Sequence, residues 1–235
     1  MNNEIKKLND NLINFWNSQI VLSEDDKKAL KNSNIDYKDI APSKKLFDEV
    51  EKLGSCNKVL DYGCGSGWAS IILAKSGCPD ITSCDVGENI IDTLNCYLEL
   101  FDVKDKVKSL CIPLDWLKRE PSEVYDGIVC SNVLDVVPIE VSKEIISDFS
   151  RITKKGSEIV IGLNYYINPD VIKERNIELI DGMYLIMDGV LRLTNLSDDA
   201  WSQMFSPFFE VKKLDYFAWQ GEAKETRRLF ILKKK

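Results

Sequence analysis

The feature that most constrains this chain is a regular alternation, between Lys58 and Leu163, of short apolar runs and amphipathic segments. The runs have the length of strands and are apolar throughout, which is typical of strands buried on both faces of a parallel sheet. The amphipathic segments predict helices that cover those faces, near 67–76, 88–100 and 138–153. The sequence therefore predicts a doubly wound, mostly parallel α/β sheet. Its first five strands are KVLDY, ITSCD, VKSLCI, YDGIVCS and SEIVIGL.

The segment before this alternation predicts a helical cap over residues 1–54. Ser23 is the predicted N-cap of one helix, and another helix is expected from Ser43 to Leu53, ended by Gly54. In the first helix the apolar side chains fall close to one face: Leu8, Leu12, Ile13, Phe15 and Trp16.

Residues 55–235 are predicted to form the core, interrupted by a small β insertion at about 165–207. Two Asp-Gly pairs, at 181–182 and 188–189, separate apolar runs there, and Asp-Gly is a strong hairpin signal. We therefore predict a three-stranded meander, followed by a helix that Ser197 caps. The last two β-rich runs, FFEVKKLDYFAW and ETRRLFILKK, are joined by a short turn and predict an antiparallel last strand.

Composition argues against several classes of partner. The net charge is −7 and the cationic runs are short, so no nucleic-acid partner is expected. No stretch approaches the roughly 20 apolar residues of a membrane span, and the first residues do not resemble a signal peptide. The seven cysteines include no C-x-x-C pair and the chain has no histidine, so no metal site is expected. These features predict a cytoplasmic protein with free thiols and no membrane partner.

The turn after the first strand, in VLDYGCGSGWAS, carries three glycines just before a helix. Glycines at such a turn let backbone N–H groups approach a ligand. A dinucleotide-binding turn, G-x-G-x-x-G, needs a small third residue, but Trp68 stands there and the third glycine is Gly67. No lysine follows the glycines, which excludes a P-loop.

Asp61 stands at the carboxyl end of the same strand, two residues before Gly63. Its negative charge would repel a pyrophosphate and attract a ligand that carries an ammonium group. Opposite unit charges about 4 Å apart interact by roughly 1 kcal/mol in water, and several times more strongly at a partly buried site. The sign of this charge therefore favours a ligand with a cationic group.

These residues carry a resemblance: LDYGCGSG is similar to the D-x-G-x-G-x-G motif of class I S-adenosylmethionine-dependent methyltransferases. The resemblance implies a Rossmann-like fold, S-adenosyl-L-methionine as cofactor and S-adenosyl-L-homocysteine as product. It implies that Asp85 holds the ribose hydroxyls, that Val86 packs on adenine, and that Asp115 accepts from the adenine amino group. The full set of expected cofactor-binding residues is Asp61, Gly63, Cys64, Gly65, Gly67, Asp85, Val86, Asp115, Trp116 and Ser131.

Candidate catalytic residues follow the fourth and fifth strands. The segment YDGIVCSNVLDVVP resembles the family's methyl-transfer motif, and Asp135 stands near the place where many small-molecule members carry a histidine. Asp135 is a candidate general base if its surroundings raise its pKa, or else an N-cap before Pro138. Asn164, Tyr165 and Tyr166 should emerge at the carboxyl edge of the sheet. The tyrosines would orient a polar acceptor or stack on an aromatic one, or else pack under the cap.

We predict an enzyme that transfers a methyl group from S-adenosylmethionine to oxygen, nitrogen or carbon of a small-molecule acceptor. The cap and the insertion support this prediction, since such additions commonly frame the acceptor pocket in the family that the chain resembles. The alternatives are an RNA or protein methyltransferase and a non-catalytic subunit that only binds the cofactor. Trp68 and Asp61 disfavour an NAD-dependent enzyme.

Overall fold

The computed structural model describes residues 3–19 and 21–235. The strands are β1 Lys58–Tyr62, β2 Asp80–Asp85, β3 Val107–Cys111, β4 Tyr125–Ser131, β5 Thr153–Leu163, β6 Tyr184–Met187, β7 Val190–Thr194, β8 Phe209–Phe217 and β9 Arg227–Lys234. The α-helices are α1 Asn3–Gln19, α2 Glu24–Lys31, α3 Lys44–Lys52, α4 Trp68–Lys75, α5 Glu88–Leu100, α6 Trp116–Arg119, α7 Ile139–Ile152, α8 Pro169–Glu174 and α9 Asp198–Phe205. Short 3-10 helices span Tyr37–Asp39, Leu53–Ser55 and Lys104–Lys106.

Seven strands form one sheet in the order β3-β2-β1-β4-β5-β9-β8. The first five strands pair in parallel, and β9 lies antiparallel between β5 and β8. The predicted sheet, mostly parallel with an antiparallel last strand, is therefore confirmed. The strand order changes direction between β1 and β4, which is where open α/β sheets bind ligands, beyond the carboxyl ends of the strands.

Helices cover both faces of the sheet, which explains why its central strands are apolar throughout. Side chains of β4 alternate between two core clusters: Ile128 joins the cluster that contains α7 and α9, and Val129 joins the one that contains α3, α4 and α5. Both side chains are fully buried. Burying each of them stabilises the fold by roughly 1.5–3 kcal/mol.

Two helices of the N-terminal segment, α2 and α3, begin where the sequence predicts. Ser23 caps α2 through a capping box with Asp26, and Ser43 caps α3 by accepting from the backbone N–H of Leu46 (3.2 Å). In α1, Leu12 is buried and Trp16 is exposed at the edge of the apolar face. The side chain of Leu8 lies outside the described residues. None of the described helices is long and apolar enough to cross a lipid bilayer.

The insertion after β5 differs from the predicted meander, because it contains α8 and only two paired strands. Asn168 caps α8 and Pro169 occupies its first turn, a sequence signal for a helix start that the two Asp-Gly turns obscured. β6 and β7 pair across the turn at 188–189. At the turn at 181–182 a single bridge joins Ile180 to Tyr184. The predicted third strand is wrong, because α8 and its end leave only residues 177–180 before that turn.

Candidate functional site

A cavity of about 900 Å³ opens at the carboxyl edge of the sheet, above the neighbouring strands β1 and β4, between which the strand order changes direction. Its walls come from the segments that follow β1, β2, β3, β4 and β5, and its roof comes from α1 and the β6–β7 hairpin. The lining is mostly apolar, with polar side chains at the strand ends. A concave, largely apolar site with a few convergent polar groups is typical of a small-molecule site.

The glycine turn after β1 forms one wall of this cavity. Gly63, Cys64 and Gly65 line it, and Gly65 has a left-handed φ of +53° with open space where a side chain would stand. Gly67 does not line the cavity: it is the N-cap of α4, and a Cβ there would lie 2.1 Å from Cδ1 of Leu94. Gly65 therefore leaves space for a ligand, whereas Gly63 lets the turn approach Val133 and Gly67 lets α4 pack closely on α5.

Asp61 lies beneath the turn and not in the cavity wall. It is 3% exposed, and its Oδ2 accepts from the backbone N–H (3.1 Å) and the hydroxyl (2.7 Å) of Ser70. Burial raises the pKa of Asp61 to about 6, against the effect of these two bonds. The carboxylate thus ties β1 to the first turn of α4, and its charge would act on a ligand from behind the turn.

Asp85, at the end of β2, lines the cavity and organises the turn from the other side. Its Oδ2 accepts from the backbone N–H of Gly65 (3.2 Å), and its Oδ1 accepts from that of Val86 (2.7 Å). Each carboxylate oxygen has the capacity to accept a further bond from the cavity side. Burial raises the pKa of Asp85, and the backbone bonds oppose that rise. Val86, Ile112 and Leu114 form apolar wall in the same cavity.

The segment after β3 contributes Asp115 to the cavity but not Trp116. An ion pair with Arg119 (2.5 Å) lowers the pKa of Asp115, whereas Trp116 packs against the core on the α7 side. The expected cofactor-binding residues therefore divide into two sets. Those that line the cavity are Gly63, Cys64, Gly65, Asp85, Val86, Asp115 and Ser131. Those that lie behind its wall are Asp61, Gly67 and Trp116.

A polar network at the ends of β4 and β5 joins Asn164 to two residues that the sequence analysis missed, Asn132 and Arg227. Asn132 donates from Nδ2 to Oδ1 of Asn164 (2.8 Å), and Arg227 donates to the same oxygen. Arg227 is held by Glu222, with Nη2 2.6 Å from Oε1, and its guanidinium stacks 3.4 Å from the ring centroid of Trp219. The sequence signal for Arg227 was the segment ETRR, in which two arginines begin an apolar strand. Antiparallel pairing of that strand with β5 brings the two arginines to the carboxyl end of β5.

Asp135 is fully buried and does not line the cavity. Its Oδ2 accepts from the backbone N–H of Asn164, while Arg228 donates from Nε to the carbonyl of Asn164 (2.8 Å). Burial raises the pKa of Asp135. Within the described residues, Asp135 Oδ1 and Arg228 Nη2 are buried without a hydrogen-bond partner. The N-cap interpretation of Asp135 is wrong, because Pro138 is the N-cap of α7. Asp135 instead binds the backbone of Asn164 on the side away from the cavity.

The two tyrosines after β5 are placed differently. Tyr165 lines the cavity and is 43% exposed, whereas Tyr166 is exposed outside it. Of the three predicted catalytic residues, Tyr165 is therefore the one positioned to touch a molecule in the cavity.

The roof is held by contacts between α1 and the hairpin. Asn11 donates from Nδ2 to the carbonyl of Gly189 at the hairpin turn (3.0 Å), and the guanidinium of Arg192 lies 3.8 Å from the ring centroid of Phe15. These contacts close the cavity above the sheet edge. The apolar residues of the roof that line it include Leu12, Ile13, Trp16, Leu185 and Met187.

The described residues contain no group of three or more His, Cys, Asp or Glu side chains placed to hold a metal ion. Burial raises the pKa values of Cys64 and Cys130 well above the ordinary value of a cysteine thiol, so both remain protonated at neutral pH. Cys130 is fully buried within β4 and is out of reach of the cavity.

Comparison with known proteins identifies relatives for more than half of the chain. The family model described as Methyltransferase domain matches residues 35–178. The ribosomal protein L11 methyltransferase of Ruminiclostridium cellulolyticum is 32% identical over 147 residues, which cover 63% of this chain and 42% of that protein. The ubiquinone biosynthesis O-methyltransferase of Psychrobacter arcticus is 31% identical over 81 residues, 34% of this chain and 31% of that protein. The chain thus matches less than half the length of these curated relatives.

Solved structures share the fold. The magnesium protoporphyrin IX methyltransferase from Synechocystis PCC 6803, solved with bound SAH, superposes with a TM-score of 0.68 at 14% identity, covering 97% of this chain and 100% of that chain. The resemblance drawn from LDYGCGSG is confirmed by the family match. This chain belongs to the methyltransferase-domain family, and its fold is that of the class I S-adenosylmethionine-dependent methyltransferases.

Proposed function

We propose that this chain transfers the methyl group of S-adenosylmethionine to oxygen, nitrogen or carbon of a small-molecule acceptor. The observation that carries the proposal is the roofed, mostly apolar cavity of about 900 Å³ at the carboxyl edge of the sheet. Small-molecule sites occupy about 300–1,000 Å³, so the cavity has room for a nucleoside-bearing cofactor beside an acceptor of modest size.

The residues of the cavity fit this cofactor. The open space at Gly65 lets a ligand approach the turn closely, and Asp85 offers carboxylate oxygens to the ribose hydroxyls. Asp115 offers an acceptor for the adenine amino group, and Val86 with Leu114 offers apolar surface for the ring. The bound cofactor supplies a methyl group on a cationic sulfur, which is already activated for transfer.

The chain's own residues then orient the acceptor and exclude water. Asn164 accepts at Oδ1 from Asn132 and Arg227, so its Nδ2 group is available to donate to the acceptor. Tyr165 adds a hydroxyl at the same edge, and the roof limits the entry of water. Alignment of this kind lowers a barrier by about 7–11 kcal/mol. We assign Asp135 the role of positioning Asn164, because its carboxylate binds the backbone of that residue.

Isothermal titration with S-adenosylhomocysteine tests the cofactor, with circular dichroism as the control for folding. We expect saturable binding of one molecule per chain, and no binding to a folded protein would refute the proposal. Transfer is tested by incubating the protein with S-[methyl-³H]adenosylmethionine and the low-molecular-mass fraction of a cell extract, in which we expect labelled small products.

A protein acceptor is a second candidate function, favoured by the 32% identity over 147 residues to a ribosomal protein L11 methyltransferase. The same labelling experiment with purified ribosomal protein L11 separates the two functions. Label in that protein, and none in the small-molecule fraction, would favour the second candidate. Binding of S-adenosylhomocysteine with transfer to neither would favour a non-catalytic subunit.

A further inference from the structure

Arg192, on β7, is a cation in the cavity wall without an acidic partner among the residues that the structure describes. The other charged side chains of the wall are engaged: Asp85 accepts from two backbone N–H groups, and the rest form ion pairs. The ion pairs are Lys118–Glu144, Arg227–Glu222, Asp115–Arg119 and Asp148–Arg151. The wall therefore presents one positive charge that its described residues do not neutralise.

The guanidinium of Arg192 is held in place although it is unpaired. Its central carbon lies 3.8 Å from the ring centroid of Phe15, so one flat face of the group stacks on the ring. Stacking uses the face of a guanidinium and leaves the N–H groups at its edge free to donate. A planar fork of N–H donors matches the two oxygens of a carboxylate.

The β6–β7 hairpin carries Arg192 into the roof of the cavity. The hairpin rests on the segment after β4, where Thr194 donates from its backbone N–H to the carbonyl of Asp135 (2.7 Å) and from Oγ1 to that of Val137 (2.7 Å). The proposed ribose and adenine contacts, Asp85 and Asp115, follow β2 and β3, on the other side of β1. Within the described residues, the hairpin that carries the unpaired cation therefore rests on the segment after β4 and not on those after β2 and β3.

Exposed apolar side chains collect around the same opening. Large apolar residues that are exposed and also line the cavity are Trp16, Leu114, Tyr165, Met187 and Trp219. Apolar surface gathered at one concave site marks a place where an apolar ligand binds. The cavity therefore combines an apolar surround with one fixed, unneutralised guanidinium.

We propose that Arg192 binds a carboxylate of the methyl acceptor and that the acceptor is an apolar organic acid. This inference deepens the proposed function and rests on it. A carboxylate has a second source in such a site, because the cofactor's own amino-acid tail also carries one. The experiment is designed to separate these two sources.

The probes are benzoic, 2-naphthoic and anthracene-2-carboxylic acids, each paired with its neutral primary amide, titrated into the protein with and without S-adenosylhomocysteine. We expect at least one acid to bind more tightly than its amide. Arg192→Gln should weaken binding of that acid about 10- to 100-fold and leave the amide unaffected, because it removes a charge-assisted bond. Arg192→Lys should retain part of the preference, since it keeps the charge and loses the planar fork. Arg175→Gln, at an exposed arginine outside the cavity, is the matched control and should keep the full preference.

The affinity of Arg192→Gln for S-adenosylhomocysteine decides the source of the carboxylate. Unchanged affinity supports the acceptor, and a tenfold or greater loss would assign Arg192 to the cofactor and overturn the proposal. No preference for any acid over its amide, or a preference that survives in Arg192→Gln, would also overturn it. If Arg192→Gln does not fold, Arg192→Lys and Phe15→Leu should each reduce the preference for the acid, because they remove the planar fork and the ring that holds it, and an unchanged preference in both would overturn the proposal. If S-adenosylhomocysteine does not bind the parent protein, the proposed function fails, while the titrations without it still report on Arg192.

Discussion

Replacing Asp61 with Asn is expected to stabilise the protein at pH 8, although it removes a charge from the central motif. Asp61 is 3% exposed, and burial raises its pKa from 3.8 to about 6 in the folded protein. Because the folded pKa lies above the unfolded one, the native state favours the protonated carboxyl group. The contribution of Asp61 to stability is fully present below pH 3.8 and is lost as the pH rises to about 6.

The size of this effect follows from the shift in pKa. A shift from 3.8 to about 6 corresponds to about 3 kcal/mol of lost stability at pH 8 and to about half of that at pH 5. Asn keeps an oxygen that can accept from Ser70, but it places an amide N–H₂ group in the buried site, which costs about 1–2 kcal/mol. The expected net gain in the free energy of unfolding is therefore about 1–2 kcal/mol at pH 8 and close to zero at pH 5.

Urea unfolding followed by tryptophan fluorescence at pH 5, 6.5 and 8 measures this difference directly. Asp105→Asn, which replaces an exposed carboxylate, is the matched control and should show no comparable dependence on pH. An Asp61→Asn variant that is less stable than the parent at pH 8 would refute the reasoning. A difference in unfolding free energy that stays constant between pH 5 and 8 would refute it as well.

Three further predictions concern the cavity and its support. Asp85→Ala should weaken binding of S-adenosylhomocysteine by about 1–3 kcal/mol in isothermal titration, and unchanged affinity would contradict the proposed ribose contact. Tyr165→Ala should raise the KM for the acceptor in the tritium assay, whereas Tyr166→Ala, outside the cavity, should not; equal effects of both variants would exclude an acceptor contact. Arg228→Gln should lower the free energy of unfolding in urea by about 3–5 kcal/mol, because it removes a buried cation that pairs with Asp198 and offsets the charge of the buried Asp135 carboxylate. The double variant with Asp135→Asn should cost less than the sum of the two single variants, and strict additivity would argue against their coupling.

The central sheet was predictable because its signals are local. β1 and β4 begin and end at the predicted residues, since each is an apolar run between clear boundary residues. Strand pairing then follows from short connections and parallel crossovers. The insertion was less predictable, because an Asp-Gly turn specifies a tight bend but not the length of the strand before it. The two-stranded hairpin could have been predicted only by interpreting Asn168 and Pro169 as the start of a helix.

The candidate site was predictable where its residues stand at the carboxyl ends of the predicted parallel strands. The glycine turn and Asp85 lie on adjacent strands, and their order is visible in the sequence. The network of Asn132, Asn164 and Arg227 joins three segments, and Arg227 stands 63 positions after Asn164. Such contacts depend on β9 entering the sheet beside β5, which local patterns do not specify.

The orientation of a charge was harder to infer than its presence. Asp61 and Asp85 both stand near the carboxyl ends of neighbouring strands, yet Asp61 is directed to Ser70 under the turn and Asp85 to Gly65 at the cavity. Between them, the two carboxylates fix the turn from below and from the side, so the turn is shaped before any ligand arrives. Because both are acidic, the site combines a preorganised backbone bend with a negative field, and this combination is unfavourable for a diphosphate. We therefore propose that Asp85, on the cavity side, is the carboxylate that meets the ligand, whereas Asp61 keeps the turn in position from beneath.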